Sequence, residues 1–270
     1  MPRFKLTLAY DGTDFVGWQR QASGVSIQGL LEDALRELEE GDVTAIGAGR
    51  TDAGVHALGQ VAAFTLTRTF APEVVVRALN VRLPPAVRVI EAACVADDFH
   101  PQFAAVSKTY RYRIWNAAVL EPFERHYAWH VYGDLDVAAM DAAARMLEGT
   151  HDFAAFQTRG SDVKSTVRTV LSSLVLRQAQ DERSHENSLV SSNSLVLSLS
   201  KDERLITYEV TGAGFLRHMV RAIVGTLVEI GRGRRPPEWM REVVASRNRG
   251  DAGVTAPAAG LFLVRVDYGS

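Results

Sequence analysis

The first hundred residues alternate between two hydrophobic periods, and this alternation restricts the possible folds more than any other feature of the chain. From Phe4 to Tyr10 apolar residues recur at every second position, which predicts a half-buried strand. A helical period follows over 26–41, opened by a serine suited to capping. Strand patterns at 60–66 and 87–94 flank a short helix predicted for 72–80. The order strand, helix, strand, helix, strand indicates an α+β layer or a split βαβ unit.

A second series of strands and helices begins near residue 105. It repeats the element order of the first series without detectable sequence similarity to it. We therefore expect an α+β fold of two α/β halves, 1–104 and 105–270, with a largely antiparallel sheet flanked by helices. The length of 270 residues is enough for two such domains. The strands of the second half are predicted at 107–116, 167–177, 205–210 and 261–267, and its helices at 137–148, 216–230 and 236–246.

The stretch 178–203 differs from the rest of the chain in composition. It is rich in serine and contains the sequence NSLV twice, at 187–190 and 193–196. Lengthening a loop adds only slowly to its closure entropy. We therefore predict an insertion of low complexity that extends a hairpin or forms a loop and takes no part in chemistry.

The chain has one cysteine, Cys94, which excludes an intrachain disulfide and any metal cluster that needs several cysteines. We expect Cys94 to be a small buried hydrophobic residue in a reducing compartment. No signal-peptide pattern follows Met1, and no apolar run is long enough to span a bilayer. These features predict a cytoplasmic protein without a membrane partner.

The densest group of candidate functional residues lies at 47–56, with the sequence GAGRTDAGVH. Three glycines surround the side chains of Arg50, Asp52 and His56, so the backbone there can approach a ligand closely. The alternative is an ordinary tight turn in which Asp52 only satisfies the turn geometry. The glycine spacing matches neither a dinucleotide-binding nor a P-loop motif, which argues against a phosphate cradle.

A basic and aromatic run occupies 108–113. In a strand, Lys108, Tyr110 and Tyr112 share one face, while the two arginines lie on the other. Interleaved aromatic and basic side chains can stack on bases and contact phosphates. An ordinary strand with one solvated basic face is the alternative.

Two further arginines, Arg217 and Arg221, stand one helical turn apart beside an apolar pattern that continues to Val224. Arginines at this spacing usually reach solvent. A guanidinium cannot lose its proton to escape burial, so an arginine within an apolar pattern requires an anionic partner. Asp52 is the candidate for that partner.

Short motifs occur along nearly the whole chain, between residues 4 and 268. They are YDG at 10–12, GWQRQ at 17–21, GRTDAGVH at 49–56, GQV at 59–61, DFH at 98–100, KTYRY at 108–112, FLRHMVR at 215–221, IVG at 223–225 and APAAGL at 256–261. In this order they resemble the motifs of the tRNA pseudouridine synthase A family. The segment 178–203 is longer than that family's pattern, and no motif falls within it.

The resemblance implies a pseudouridine synthase fold with an active-site cleft between the two halves. It also implies an enzyme that isomerises uridine to pseudouridine in the anticodon stem-loop, at nucleotides 38, 39 and 40 of tRNA. The family works without a metal or an organic cofactor, and as a homodimer on which one tRNA bridges two subunits. The expected partner is therefore tRNA.

The family's catalytic aspartate corresponds to Asp52, since a carboxylate can attack or stabilise an electron-poor anomeric carbon. The sequence leaves open whether Asp52 adds to C1′ or stabilises a glycal intermediate. Tyr110 corresponds to the active-site tyrosine, which can stack on the base or move a proton at C2′. Arg221 corresponds to the arginine whose ion pair orients the aspartate, and Arg50 to a residue that helps turn out the nucleotide. Further substrate contacts are expected from Lys108, His56 and Arg217.

Two other functions remain open at this stage. One is a catalytically silent tRNA-binding module, against which the intact set of Asp52, Tyr110 and Arg221 argues. The other is a glycosidase or nucleoside hydrolase, which would need a second carboxylate in a motif. The three histidines His56, His100 and His218 lack zinc-site spacing and are expected in packing or RNA contacts.

The net charge of −2 gives no sign of a nucleic-acid partner, but the charge is uneven. Residues 217–249 contain eight basic and three acidic side chains. This segment is therefore predicted to face the tRNA, although a solvated helix face is the alternative.

Overall fold

The computed structural model describes residues 1–39, 41–158, 163–177 and 204–269, and these ranges form one sheet of ten strands with five α-helices. The strands are β1 (Arg3–Tyr10), β2 (Ile46–Gly47), β3 (His56–Thr65), β4 (Val87–Val95), β5 (Ala105–Trp115), β6 (Trp129–His130), β7 (Gly149–Asp152), β8 (Val167–Arg177), β9 (Leu205–Gly212) and β10 (Leu261–Tyr268). The helices are α1 (Ile27–Glu39), α2 (Pro72–Arg82), α3 (Val137–Arg145), α4 (Met219–Gly231) and α5 (Trp239–Ser246).

Eight strands follow one path across the sheet in the order β4-β1-β3-β10-β5-β9-β8-β7, while β2 pairs with β3 and β6 with β5. The pairs are antiparallel except β3 with β10 and β5 with β6. The last strand of the chain, β10, lies between β3 of the first half and β5 of the second. The predicted α+β fold with a largely antiparallel sheet is confirmed. The division into domains at residue 104 stays a prediction.

The hydrophobic core continues across the sheet from one half to the other. Phe4 of β1 stacks on Phe64 of β3 with the ring centroids 5.7 Å apart. Tyr208 of β9 and Leu227 of α4 belong to the same buried cluster. The two halves therefore share one hydrophobic core, which supports the side chains that they project toward one another.

Two helices begin later than their apolar periods predict. His218 has φ = 62°, in the left-handed region, so α4 begins at the next residue rather than at 216. The amides of Trp239 and Met240 each donate to the carbonyl three residues back, at 3.1 Å, so a turn precedes α5 where the helix was predicted from 236. Hydrophobic periodicity carries no information on the φ angle, and it therefore misplaces such boundaries.

The prediction that Cys94 is buried is wrong, because the structure places it exposed on β4. This strand forms an edge of the sheet, and its buried residues are Val87 and Val89. Asn80 of α2 holds both backbone groups of Val89, at 2.8 and 2.9 Å. Beyond Val89 the side chains of the strand are partly covered or exposed, and none is buried.

The predicted insertion at 178–203 lies outside the described residues. Within the described ranges, no helix has both the length and the apolar character needed to cross a membrane.

Candidate active site

The loop between β2 and β3 carries Asp52, and its backbone is fixed by hydrogen bonds from three directions. The carbonyl of Ala48 accepts from Lys108 Nζ at 2.7 Å, and that of Gly49 accepts from Gln60 Nε2 at 2.9 Å. The carbonyl of Thr51 accepts from the backbone N–H of residue 18 at 3.0 Å. Asp52 is thereby held with its side chain 29 % exposed, open to a ligand.

Glycine is required at position 17 because this residue passes directly beneath the loop. Gly17 has φ = +104°, and a Cβ there would lie 2.5 Å from the carbonyl oxygen of Thr51. The indole of Trp18 fills the space beside Gly47, where a Cβ would lie 2.5 Å from the ring. The Gly17-Trp18 motif therefore supports the loop from below, a role that its sequence alone does not indicate.

The second half of the chain brings three nitrogen-bearing side chains to the carboxylate of Asp52. Arg221 Nη1 lies 3.8 Å from Oδ2, and Arg217 Nε lies 3.8 Å from Oδ1. The side chain of Arg221 is only 15 % exposed, whereas that of Arg217 is 62 % exposed. Asp52 is thus confirmed as the anionic partner predicted for Arg221, an arginine within an apolar pattern.

The third of these side chains is His218, for which the sequence predicts only a role in packing or an RNA contact. Its Nε2 lies 3.3 Å from Asp52 Oδ2, and its Nδ1 hydrogen-bonds with Thr158 Oγ1 at 2.6 Å. Burial is the main cause that lowers the pKa of His218, and Arg221 and Arg217 lower it further against the opposite effect of Asp52. The left-handed backbone aims the ring at Asp52, and no hydrophobic period could have revealed that conformation.

Tyr110 lies in the middle of β5, opposite Leu263 of β10 and Val210 of β9. It is 9 % exposed and packs edge-on against Phe215, with ring centroids 5.1 Å apart. Burial raises the pKa of Tyr110, and the charge of Asp52 raises it further. Its hydroxyl makes no hydrogen bond to any described residue, so it is available to a substrate.

Tyr112, two residues further along β5, is fully buried and donates its hydroxyl to the carbonyl of Pro257 at 2.7 Å. This burial and this hydrogen bond indicate a structural role for Tyr112.

The remaining candidates for substrate contacts differ in their access to solvent. Arg50 is exposed and makes no hydrogen bond or ion pair within the described ranges. Lys108 is partly buried beneath the loop, and burial lowers the pKa of its ammonium. Lys108 therefore positions the loop through Ala48, while Arg50 stays free for a ligand.

His56 is 1 % exposed, and both of its ring nitrogens bond within the protein. Its Nδ1 accepts from the N–H of Gly12 at 3.0 Å, and its Nε2 lies 2.9 Å from the carbonyl of His126 and 3.1 Å from that of Ala259. With no free surface for RNA in this structure, His56 fits the packing alternative rather than the expected substrate contact.

Stability is expected to fall as the pH drops below 6.5, because His56 must be neutral to accept from Gly12. Burial lowers the pKa of His56 below its ordinary value of 6.5. The unfolded chain therefore binds the proton more readily than the folded one, and the free energy of unfolding decreases with falling pH. Denaturant unfolding at pH 7.5 and 5.5 measures this, and His56→Gln should flatten the dependence. An unchanged pH dependence in His56→Gln would assign the effect to other groups.

The basic segment 217–249 is partly neutralised within the protein. Arg234 and Arg232 pair with Glu229 at 3.0 and 3.5 Å, and Arg247 pairs with Asp152 at 3.1 Å. Arg217 and Arg221 face Asp52, and the other basic residues of the segment have no carboxylate partner among the described residues. Its positive potential is therefore smaller than the count of residues indicates but does not vanish.

Comparison with known proteins places the chain in a family. A family model for tRNA pseudouridine synthase matches residues 7–104 and 143–269. The tRNA pseudouridine synthase A of Myxococcus xanthus is 44 % identical over 268 residues, covering 99 % of this chain and 92 % of the relative. Those of Moorella thermoacetica and Solibacter usitatus are each 44 % identical, over 270 and 273 residues, and cover 99 % of this chain and 100 % of the relative.

The mixed sheet and the matched model define the class of enzyme, that of the tRNA pseudouridine synthases, which are isomerases acting on uridines in tRNA. Within this class the relatives share one name and match this chain almost from end to end. The chain belongs to the tRNA pseudouridine synthase A family.

Proposed function

We propose that the protein converts uridine to pseudouridine at nucleotides 38, 39 and 40 of tRNA, with Asp52 as the catalytic group and without a metal or organic cofactor. One observation carries the proposal: the part-exposed carboxylate of Asp52 faces Arg217, His218 and Arg221 across the join between the two halves. Family membership supports the reaction, and the resemblance of the motifs supports the three nucleotides.

The reaction breaks the bond between N1 of uracil and C1′ of the ribose, turns the base, and joins C5 to C1′; C5 loses its proton and N1 takes one up, so the product is an isomer of the substrate. Asp52 has the chemistry to act at C1′, where positive charge develops as the N1 bond breaks. Arg221 and Arg217 hold the carboxylate from both of its oxygens, which fixes its direction. The arrangement thus holds one anionic group near Tyr110, close enough for its charge to raise the pKa of the Tyr110 hydroxyl further.

A base inside a stacked stem is out of reach of Asp52, so the target nucleotide must leave the stack. Arg50 is two residues before Asp52, exposed and unpaired within the described ranges. It is therefore suited to hold or replace the displaced nucleotide. The aromatic face of Tyr110 offers the base a surface on which to stack.

Mapping of the modified nucleotides tests the proposed specificity. Anticodon stem-loop transcripts that carry uridine at one of the positions 38, 39 or 40, and cytidine at the other two, are incubated with the protein. We expect pseudouridine at the single uridine of each transcript and at no uridine elsewhere in the stem-loop. Pseudouridine only at other positions would contradict the proposed nucleotides while leaving the isomerase class intact.

Replacing Tyr110 by phenylalanine is expected to lower kcat by about a hundredfold with little change in KM. The ring that stacks on the base remains, whereas the hydroxyl that can move a proton at C2′ is lost, and such transfers contribute about a hundredfold or more. Steady-state kinetics on tRNA measures both constants, and Tyr112→Phe is the matched control for general damage to β5. A loss of less than about threefold in Tyr110→Phe would restrict Tyr110 to stacking and remove its role in a glycal route.

The resemblance also supports a homodimer that works on tRNA in the cytoplasm. Sedimentation of the purified protein, alone and with tRNA, tests the subunit count. A monomer in both samples would contradict the dimer.

A further inference from the structure

An open cavity of about 570 Å³ lies beside the site, and two of its walls are the residues that face Asp52. Its lining consists of Thr158, His218, Arg221, Arg249, Gly250 and Thr255. The cavity therefore continues from the catalytic group toward the segment between α5 and β10. The lining residues that the structure describes supply two guanidinium groups, two hydroxyls and one imidazole, and none of them carries a carboxylate.

Arg249 is a partly buried cation that is held in place but not neutralised. Its Nη1 donates to the carbonyls of Ala252 and Gly253 at 3.4 and 2.8 Å, and its Nη2 donates to Thr255 Oγ1 at 2.8 Å. Among the described residues no carboxylate pairs with it. Burial lowers the pKa of Arg249, yet a guanidinium stays protonated in proteins. Its Nε–H and one Nη2–H have no acceptor in the described part of the chain.

Arg221 adds further unused donors to the same cavity. Its Nε donates to the carbonyl of Ala256 at 2.6 Å, which fixes the guanidinium plane. Its Nη1 is 3.8 Å from Asp52, an ion-pair distance that leaves its hydrogen bonds unmade. Within the described ranges Asp52 is the single carboxylate that pairs with any of Arg217, Arg221 and Arg249. The three arginines and Asp52 together leave a local charge of +2.

The hydroxyl of Thr255 completes the set of donors. Because its oxygen already accepts from Arg249, the hydroxyl proton is directed elsewhere. Fixed guanidinium forks together with a hydroxyl suit a group with one negative charge and two exposed oxygens. A phosphodiester has this form, and phosphate contacts set the register of a nucleic acid on a protein.

We propose that this cavity binds one backbone phosphate of the RNA strand next to the target nucleotide, with Arg249 as its main contact. The proposal rests on the proposed function, because it takes the substrate to be RNA. A phosphate fixed here would place the adjoining ribose in front of Asp52, so Arg249 sets the register of the strand and touches no base.

The test measures binding of anticodon stem-loop RNA in the Asp52→Asn background, which separates binding from turnover. Each phosphate near the target uridine is replaced in turn by an uncharged methylphosphonate. We expect one position at which the replacement weakens binding about tenfold in the protein with Arg249 and has no further effect in Arg249→Gln. Arg249→Gln should also make the plot of log K against log salt less steep, by roughly 0.7 to 0.9 in slope. This is the change expected for the loss of one phosphate contact, the lower value applying to a single strand and the upper value to a duplex.

Two variants separate the charge of Arg249 from its structural hydrogen bonds. Arg247→Gln removes the same charge two residues away, from a side chain already paired with Asp152, and should change Kd by less than about twofold. Arg249→Lys keeps the charge and should keep the salt slope. If each methylphosphonate weakens binding to the same extent in the protein with Arg249 as in Arg249→Gln, Arg249 contacts no phosphate and the proposal is overturned.

A further experiment adds inorganic phosphate as a competitor of the RNA. Competition by millimolar phosphate in the protein with Arg249, without any position-specific methylphosphonate effect, would assign the cavity to a free anion and overturn the RNA contact. Failure of the proposed function would give another result. The position-specific effect of methylphosphonate on binding would persist, but the protein with Asp52 would form no pseudouridine.

Discussion

Replacing Asp52 by asparagine is expected to reduce pseudouridine formation by at least about a thousandfold. Asparagine has nearly the same shape, so the loop held by Lys108 and Gln60 should keep its conformation. A neutral amide, however, cannot attack or stabilise the anomeric carbon as a carboxylate does, and loss of such a group typically removes most of the rate enhancement. Release of tritium from C5 of uridine in tRNA measures the reaction.

A second carboxylate provides the matched control for this experiment. Asp33 is an exposed residue of α1 that pairs with Arg20 and Arg36, both at 2.9 Å. Surface pairs of this kind contribute little, so Asp33→Asn should release tritium at the wild-type rate. Full release by Asp52→Asn would contradict the catalytic role of Asp52. Binding of tRNA by the wild type without any release would instead favour a catalytically silent module.

Replacing Gly225 by alanine is expected to destabilise the protein by about 3 kcal/mol, the scale of an overpacked core. A Cβ on Gly225 of α4 would lie 1.7 Å from the carbonyl oxygen of Val254. The following residue, Thr226, accepts from the N–H of Gly253 at 2.9 Å, so helix and loop are tied at this point. Neither backbone can move without pulling on the other. In an open helix the same substitution stabilises by about 1 kcal/mol, so the sign itself is diagnostic.

Gly29 in α1 is the control, because a Cβ there meets the far ends of two side chains and no backbone: the hydroxyl of Ser26 at 2.9 Å and the guanidinium of Arg20 at 3.7 Å. The Ser26 hydroxyl also accepts from the N–H of Gly29 at 3.1 Å, so the largest expected cost of Gly29→Ala is the loss of this one capping bond, about 1 kcal/mol. Denaturant unfolding measures both variants. The loop at 253–256 also carries the carbonyl of Ala256 that fixes Arg221, so Gly225→Ala should lose activity even where it is folded. A variant at Gly225 as stable as the wild type would contradict the close contact.

The sequence is sufficient to predict most elements of the fold and the pairing of Asp52 with Arg221. Apolar periods predict the strands and helices because burial on one face selects them. The charge of Arg221 within an apolar pattern predicts an anionic partner because a guanidinium cannot be buried alone. The position of β10 between β3 and β5 is different, since the pairing of a chain end with a strand two hundred residues earlier leaves no local pattern.

The candidate site is harder to predict where backbone conformation decides it. His218 faces Asp52 because its backbone is left-handed, and Gly17 is needed because it passes beneath Thr51. Neither feature has a hydrophobic period or a charge pattern. His56 is the opposite case. It belongs to the same sequence motif as Asp52, yet it is buried, and its ring bonds to Gly12 and to two backbone carbonyls. Sequence proximity to a proposed catalytic residue therefore does not imply access to substrate.

The most direct test of the central claim uses the wild-type protein alone with unmodified tRNA labelled with tritium at C5 of uridine. Formation of the C5 to C1′ bond must expel this tritium, so release reports the isomerisation itself. With no metal or organic cofactor added and a chelator present, we predict one tritium released for each pseudouridine formed. No release from any unmodified tRNA, with the protein folded, would contradict the account.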